Sequence, residues 1–211
     1  MTERGGLHRV LEVSWVYTAF QHAVYRSGWS ERMRNELYPE LGTRPLRVLD
    51  IGCGPAAFYA RYHDVAGLEY VGIEPNEAYV KDAEQRFPGI ELHTGTVPQV
   101  RERISGRFDL VVLEGVLHHI DDATAREALA FAGERLAPGG RIVALDPVLL
   151  PRQNPIARTL AILDRGTHVR TLDGYRELAV AALPQARVEV RPLSGQLRVP
   201  YNHSMLTACL G

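Results

Sequence analysis

The run Val48-Leu49-Asp50-Ile51-Gly52-Cys53-Gly54-Pro55-Ala56-Ala57 constrains the fold more than any other stretch of the chain. An apolar segment ending on an acid and then on two spaced glycines predicts a buried parallel strand that breaks into a tight turn before a helix. Gly52 and Gly54 let the backbone approach a ligand closely, and the start of the next helix offers unpaired N–H groups at the same place. The pattern is G-x-G-x-x-A, with Ala57 in the third small position, and a dinucleotide fingerprint would look similar. Asp50 separates the two ligand classes: its carboxylate would repel a pyrophosphate at that turn and attract a cationic or zwitterionic ligand. Glu74 closes the next apolar run, twenty residues after Gly54, where a carboxylate can accept hydrogen bonds from both hydroxyls of a ribose.

Four apolar runs follow in order, Leu46 to Ile51, Tyr70 to Glu74, Phe108 to Leu113 and Arg141 to Asp146, with a weaker candidate at Ile90 to Thr94 and helical stretches between them. This alternation predicts an α/β fold, a doubly wound, Rossmann-like, mostly parallel sheet flanked by helices. Upstream, Leu11, Trp15, Phe20, Val24 and Met33 recur at roughly helical spacing, broken at Gly28 and Pro39. They predict N-terminal helices within 1–45 that either pack on the core or form a lid offering Trp15, Tyr17, Tyr25 or Trp29 to a substrate. After Asp146, the prolines Pro147, Pro151 and Pro155 and a helical run around Ile156 to Leu163 mark a small inserted cap over 149–170. Thr171 to Leu183 predicts a last helix with Thr171 or Asp173 as its N-cap, and Arg187 to Pro192 and His203 to Leu210 predict the closing strands over 171–211. With 211 residues, 45% of them hydrophobic, the chain reads as one domain around a core at 46–148.

A formal charge of -1 supplies no field to gather nucleic acid or to coat an anionic membrane, which favours a small-molecule partner. Cys53 and Cys209 are no disulfide framework, so a reducing, cytoplasmic setting is expected. No apolar run has the length of a membrane span or the form of a secretory leader.

"VLDIGCGPA" and "VGIEPN", followed by "FDLVVLEGVLHHIDD" and "LAPGGRIVALDP", resemble in order and separation the motifs of the class I S-adenosylmethionine-dependent methyltransferases of small-molecule type, over roughly 46–148. The resemblance implies S-adenosyl-L-methionine as cofactor. It puts Asp50 near the methionine amino group, the backbone of Gly52, Cys53 and Gly54 along the methionine and ribose, Glu74 with Pro75 at the ribose hydroxyls, and Glu114-Gly115 at the cofactor's border. Members of the family usually carry an acid after the third strand that caps the adenine amino group. Here "HTGTVPQ" puts Thr96 in that place, with Val97 able to pack the ring, and a neutral hydroxyl offers the adenine a weaker acceptor than a carboxylate would.

His118 and His119 follow the fourth strand, at the edge where ligands of open α/β sheets collect. The resemblance implies that one of them is a general base joined by Asp146, and an imidazole has a suitable pKa for taking a proton from a hydroxyl. Adjacent residues diverge on a regular backbone, so the two rings are expected to part, one of them structural. Enzymes that methylate nucleobase amines carry an Asn/Asp-Pro-Pro-aromatic motif there, which Glu114-Gly115-Val116-Leu117 lacks, so nucleic acid is not expected as substrate. Arg152, Arg158, Arg165, His168 and Arg170 form either a solvated basic face or a cap that recognises a carboxylate or phosphate on an anionic acceptor. Tyr201 and His203 carry the same ambiguity, and no His or Cys spacing predicts a metal site.

The reading that unites these features is methyl transfer to a small molecule, with a hydroxyl of a metabolite or natural product as acceptor. The alternatives are a protein that keeps the cofactor fold without methylating, as a cyclase, scaffold or regulator, and a nicotinamide-dependent oxidoreductase. Asp50 and the lack of a Tyr-x-x-x-Lys pair argue against the last.

Overall fold

Alternation along the first strand sets the layers. In the computed structural model, which describes residues 34–162, 166–193 and 202–210, β1 (Leu46–Ile51) sends Leu46 and Val48 to one side of the sheet and Leu49 and Ile51 to the other. Both faces are covered, so a period of two yields a strand with no solvent side. The parallel register of β2 (Leu68–Glu74) on β1 runs from Leu46 opposite Leu68 to Ile51 opposite Ile73. β3 (Glu91–Thr94), β4 (Phe108–Glu114) and β5 (Leu136–Leu149) extend the parallel part. β7 (Ala186–Leu193) and β8 (His203–Leu210) close the far edge, β8 being antiparallel to both neighbours. A two-residue β6 (Arg170–Thr171) pairs with the end of β5 at Val148 and Leu149.

The order is β3-β2-β1-β4-β5-β8-β7, so the winding reverses between β1 and β4. Loops leaving those two strands part there and open a crevice at their carboxyl ends. The turn after β1 and the Glu114-Gly115 step after β4 both border it.

Between the strands run α1 (Ala57–Tyr62), α2 (Glu77–Arg86), α3 (Val97–Val100) and α4 (Asp122–Arg135), followed by α5 (Pro155–Ile162) and α6 (Leu172–Ala182). Their starts follow from capping chemistry. Asn76 accepts from Ala78 N at 2.9 Å, Asp121 from Thr124 N at 2.8 Å, and Thr171 from Gly174 N at 3.1 Å, which settles the choice between Thr171 and Asp173. One core, on the α4 and α6 side, gathers Leu49, Ile73, Leu113, Leu129, Phe131 and Leu178. The other is aromatic, with Tyr38, Phe58, Tyr62 and Tyr70 around Val48 and Val112.

The expected strands are present, most with small shifts of their ends. β5 departs furthest: it begins at Leu136, before the expected Arg141, because Leu136 already pairs with Phe108, and it continues to Leu149 because β6 pairs there. Of the expected N-terminal helices only the end is described, a helical turn over 34–37 that Arg141 ties to the sheet through Glu40 at 2.7 Å. Trp15, Tyr17, Tyr25, Trp29, Arg165 and Tyr201 lie outside the described residues. Among the described residues no helix is long and apolar enough to cross a membrane.

Candidate active site

The glycine turn needs its glycines for conformation. Gly52 and Gly54 have φ of 73° and 55°, the left-handed region that residues with a Cβ avoid. Among the described residues a Cβ added at Gly54 would meet nothing within 4 Å, whereas one at Gly52 would strike Val116 Cγ2 at 2.6 Å. Ala56, at φ 57°, adopts the same region without being glycine and starts α1. The Cys53 thiol turns away into the aromatic core, 5% exposed, and its Sγ donates to the Gly54 carbonyl at 3.6 Å. Burial pushes the thiol well up, so only the backbone of Cys53 is available to a ligand.

Glu74 reaches back to this turn. Its Oε2 accepts from Gly54 N at 2.9 Å and its Oε1 from Asn76 N at 2.9 Å, which fixes the carboxylate in the crevice with lone pairs left over. Burial raises its pKa and the two N–H donors pull the other way. Pro75 beside it is exposed.

Asp50 and Glu114 share the aromatic face. Asp50, 2% exposed, accepts from the Tyr70 hydroxyl at 2.8 Å. Burial first, and then the charge of Glu114, push its carboxyl up to about 7. Glu114 accepts from the Tyr38 hydroxyl at 2.6 Å and forms an ion pair with Arg61 of α1. Asp50, Glu74 and Glu114 thus bring three carboxyl groups to the turn, against the single guanidinium of Arg61 among the described residues that pair with them. Such a set favours a ligand with positive charge, and no described residue occupies the space beside Gly54.

Tyr38, Arg61 and Tyr70 were not among the residues singled out from the sequence. Arg61 had a readable signal: it is a lone charge between Phe58 and Tyr62, two side chains that the helix buries. Tyr38 and Tyr70 had none, since pairing with acids 76 and 20 residues away is a tertiary property.

Thr96 sits where the adenine-capping acid was expected, exposed, at the start of α3. Its backbone N–H and its hydroxyl both donate to Gln99 Oε1, at 2.8 and 3.0 Å, so the hydroxyl has acceptor capacity left but no proton to give. Val97 is buried beneath it.

The opposite face holds the histidines. Leu117–His119 form a single 3-10 turn, and Asp146, 1% exposed on β5, draws His118 in. Asp146 Oδ1 accepts from His118 N at 3.0 Å and lies 2.8 Å from His118 Nδ1. Asp146 Oδ2 is buried with no hydrogen-bond partner among the described residues. The Cε1 edge of the ring is turned toward Gly115, where a Cβ would stand 3.7 Å away. The expectation that the two rings part is corrected: their centroids are 3.9 Å apart, because a tight 3-10 turn lacks the divergence of an extended strand. They differ in burial, His118 being inside and His119 exposed.

The basic segment is also divided. Arg152 and Arg158 are exposed, but Arg170 is spent on the histidine turn, donating to Leu117 O, Ile120 O and Asp122, so it is not available to an acceptor. His203 lies on β8 opposite Pro147.

Residues 49–142 match the family model described as a methyltransferase domain. An uncharacterized methyltransferase of Alkaliphilus oremlandii is 26% identical over 99 residues, 47% of this chain and 44% of that protein. Among solved structures, a TehB-like S-adenosylmethionine-dependent methyltransferase from Corynebacterium glutamicum superposes with a TM-score of 0.65 at 16% identity, covering 98% of this chain and 100% of that one. The S-adenosylmethionine-dependent methyltransferase SibL gives 0.70 at 17% identity, covering 100% and 63%. Human N-acetylserotonin methyltransferase, in complex with S-adenosylmethionine, gives 0.60 at 19% identity, covering 78% and 47%. These likenesses establish the fold, and the chain spans about half the length of the human enzyme and of the Alkaliphilus protein.

Proposed function

We propose that the chain is a class I S-adenosylmethionine-dependent methyltransferase that transfers the methyl group of S-adenosylmethionine to a hydroxyl of a small-molecule acceptor, a reading supported by the methyltransferase-domain match over residues 49–142 and by the shared fold. The observation that carries this reading is the surplus of carboxyl groups, two of them buried, around the glycine turn among the described residues. The cofactor carries a sulfonium and an ammonium against one carboxylate, a net positive ligand for a site whose own charge is negative. Asp50 faces the ammonium, Glu74 takes the ribose hydroxyls, the backbone of Gly52 to Gly54 lines the chain between them, and Thr96 and Val97 border the adenine.

Bound cofactor supplies an electrophilic methyl carbon. The protein's part is alignment and proton removal. Asp146 holds His118 Nδ1 and so orients the imidazole, which as base would take the acceptor's hydroxyl proton while the oxygen–carbon bond forms and the sulfur–carbon bond breaks. Asp146 then stabilises the resulting imidazolium. His119, exposed on the same turn, is the less buried partner of the pair. Exposed Arg152 and Arg158 suit an acceptor with a carboxylate or phosphate. Two free thiols suit a reducing, cytoplasmic setting.

Calorimetry with S-adenosylmethionine, S-adenosylhomocysteine and NAD tests the cofactor. Saturable binding of the first two is expected, and binding of NAD alone overturns the reading. Transfer of label from methyl-labelled cofactor into a metabolite extract tests the reaction.

A further inference from the structure

Residues 166–170 form a strap over the histidine turn, built around one side chain. Arg170 is 10% exposed and makes five hydrogen bonds. Its Nη1 donates to Leu117 O at 2.6 Å and His168 O at 3.0 Å, and its Nη2 to Ile120 O at 2.9 Å. Its Nε and Nη2 reach Asp122 Oδ1 at 3.0 and 2.6 Å. Leu117 and Ile120 are the residues immediately before and after the two histidines, so one planar group grips both ends of the turn. The five donors of a guanidinium lie in one rigid fork, and a lysine ammonium cannot reproduce that span.

Two further contacts bind the strap to the same turn, and a third leads to β5. His168 N donates to His118 O at 2.9 Å. Gly166 lies so close that a Cβ there would collide with the ring and the carbonyl of His118. The Arg170 guanidinium also stands 5.8 Å from the centre of the Tyr175 ring, and Tyr175 donates to Pro147 O at 2.9 Å, one residue past Asp146. The strap therefore touches both members of the pair: the His118 backbone and ring directly, and the strand end that carries Asp146 through Tyr175.

We propose that Arg170 is the positioning residue of the His118–Asp146 pair, holding the imidazole at the angle and in the tautomer that transfer requires. The residues that bracket the histidines are anchored to it at hydrogen-bond distance, and Gly166 leaves the ring no room to swing toward the strap. Arg170 does not meet acceptor or cofactor. The inference rests on the proposed role of His118 as base.

The test combines a spectroscopic readout, which needs no acceptor, with kinetics. In protein labelled at histidine with ¹⁵N, His118 in the wild type should show one fixed tautomer with the proton on Nδ1. Arg170→Met should mix the tautomers and move the His118 titration by about half a pH unit or more, with affinity for S-adenosylhomocysteine retained. Arg170→Lys should fall between. Asp122→Asn removes only an exposed anchor and should give a smaller shift in the same direction, which keeps the test open if Arg170→Met fails to fold. Once an acceptor is in hand, Arg170→Met should lower kcat by about 10- to 100-fold with KM for the cofactor within about twofold. An unmoved tautomer and titration in Arg170→Met, or in Asp122→Asn and Arg170→Lys if the methionine variant does not fold, overturns the proposal. A shifted tautomer together with normal turnover in His118→Ala would leave the positioning intact and remove the base.

Discussion

Asp50 and Asp146 are equally buried carboxyl groups toward the carboxyl ends of β1 and β5, with one strand between them, yet the two faces of the sheet treat them differently. Asp146 meets a backbone N–H and an imidazole nitrogen of a turn that is itself strapped down. Asp50 meets a tyrosine hydroxyl and the charge of Glu114, and its carboxyl is pushed up to about 7. One face offers Asp146 Oδ1 two nitrogen donors, while on the other the nearby guanidinium of Arg61 is paired with Glu114 and does not offset the burial of Asp50. A fold keeps such a cost where a ligand later relieves it, which is how buried charge marks a binding site without any bound molecule. Gly115, between Glu114 and the histidine turn, is where the two faces meet.

The strongest way to break this division of labour is at the histidine. His118→Ala should lower turnover by two to four orders of magnitude with cofactor affinity kept, while His119→Ala should change it much less. Single-turnover rates with cofactor saturating check it, and equal effects from both variants would erase the distinction between buried and exposed ring.

Asp50→Asn sharpens the contrast from the other side. The folded pKa near 7 lies above the ordinary value of 3.8, so this group costs the fold nothing below about pH 4, progressively more as pH rises, and its full amount above 7. The variant should therefore stabilise the ligand-free protein at pH 8, by up to about 4 kcal/mol, and leave it nearly unchanged at pH 4. Denaturant unfolding at the two pH values reads the difference, and a loss of stability at pH 8 would show that the carboxylate is already satisfied.

Glu74→Ala comes next. Loss of a charged acceptor should weaken S-adenosylhomocysteine by roughly 1.5 to 3 kcal/mol, and unchanged calorimetric affinity would take Glu74 out of the site. The smallest effect is expected at the adenine end. Thr96→Asp keeps an N-cap on α3 and restores a charged acceptor, so affinity should hold or tighten by less than about 1 kcal/mol, and a large drop would mean that adenine lies elsewhere.

Much of this was legible in the chain itself because the signals are local. Apolar runs bounded by turn residues located β1 and β8 at their observed ends, and the glycine turn with Asp50 and Glu74 announced the crevice. The full length of β5 was not legible, since Leu136-Ala137-Pro138-Gly139-Gly140 has no strand character and only Leu136 of it pairs with β4, opposite Phe108, before the register shifts to Arg141 opposite Leu110. Nor was the fate of Arg170. A basic residue among other basic residues reads as a solvated face, and what sets it apart is the set of carbonyls about fifty positions earlier that the fold brings to it. The approach of the two histidine rings was not legible for a similar reason, because the turn that joins them has neither strand nor helix periodicity.

The central claim is that the aromatic face holds its carboxyl groups for a cationic ligand, and pH-linked calorimetry tests it most directly. S-adenosylhomocysteine, whose ammonium stays charged throughout, is titrated into wild type and Asp50→Asn between pH 6 and 8, in buffers of different ionisation enthalpy. Wild type should bind more tightly as pH rises through about 7 and release protons below that point, because the ligand selects the ionised Asp50. The variant should bind weakly with no such trend. Equal affinity across that range in the wild type, or uptake of protons on binding, would contradict the account.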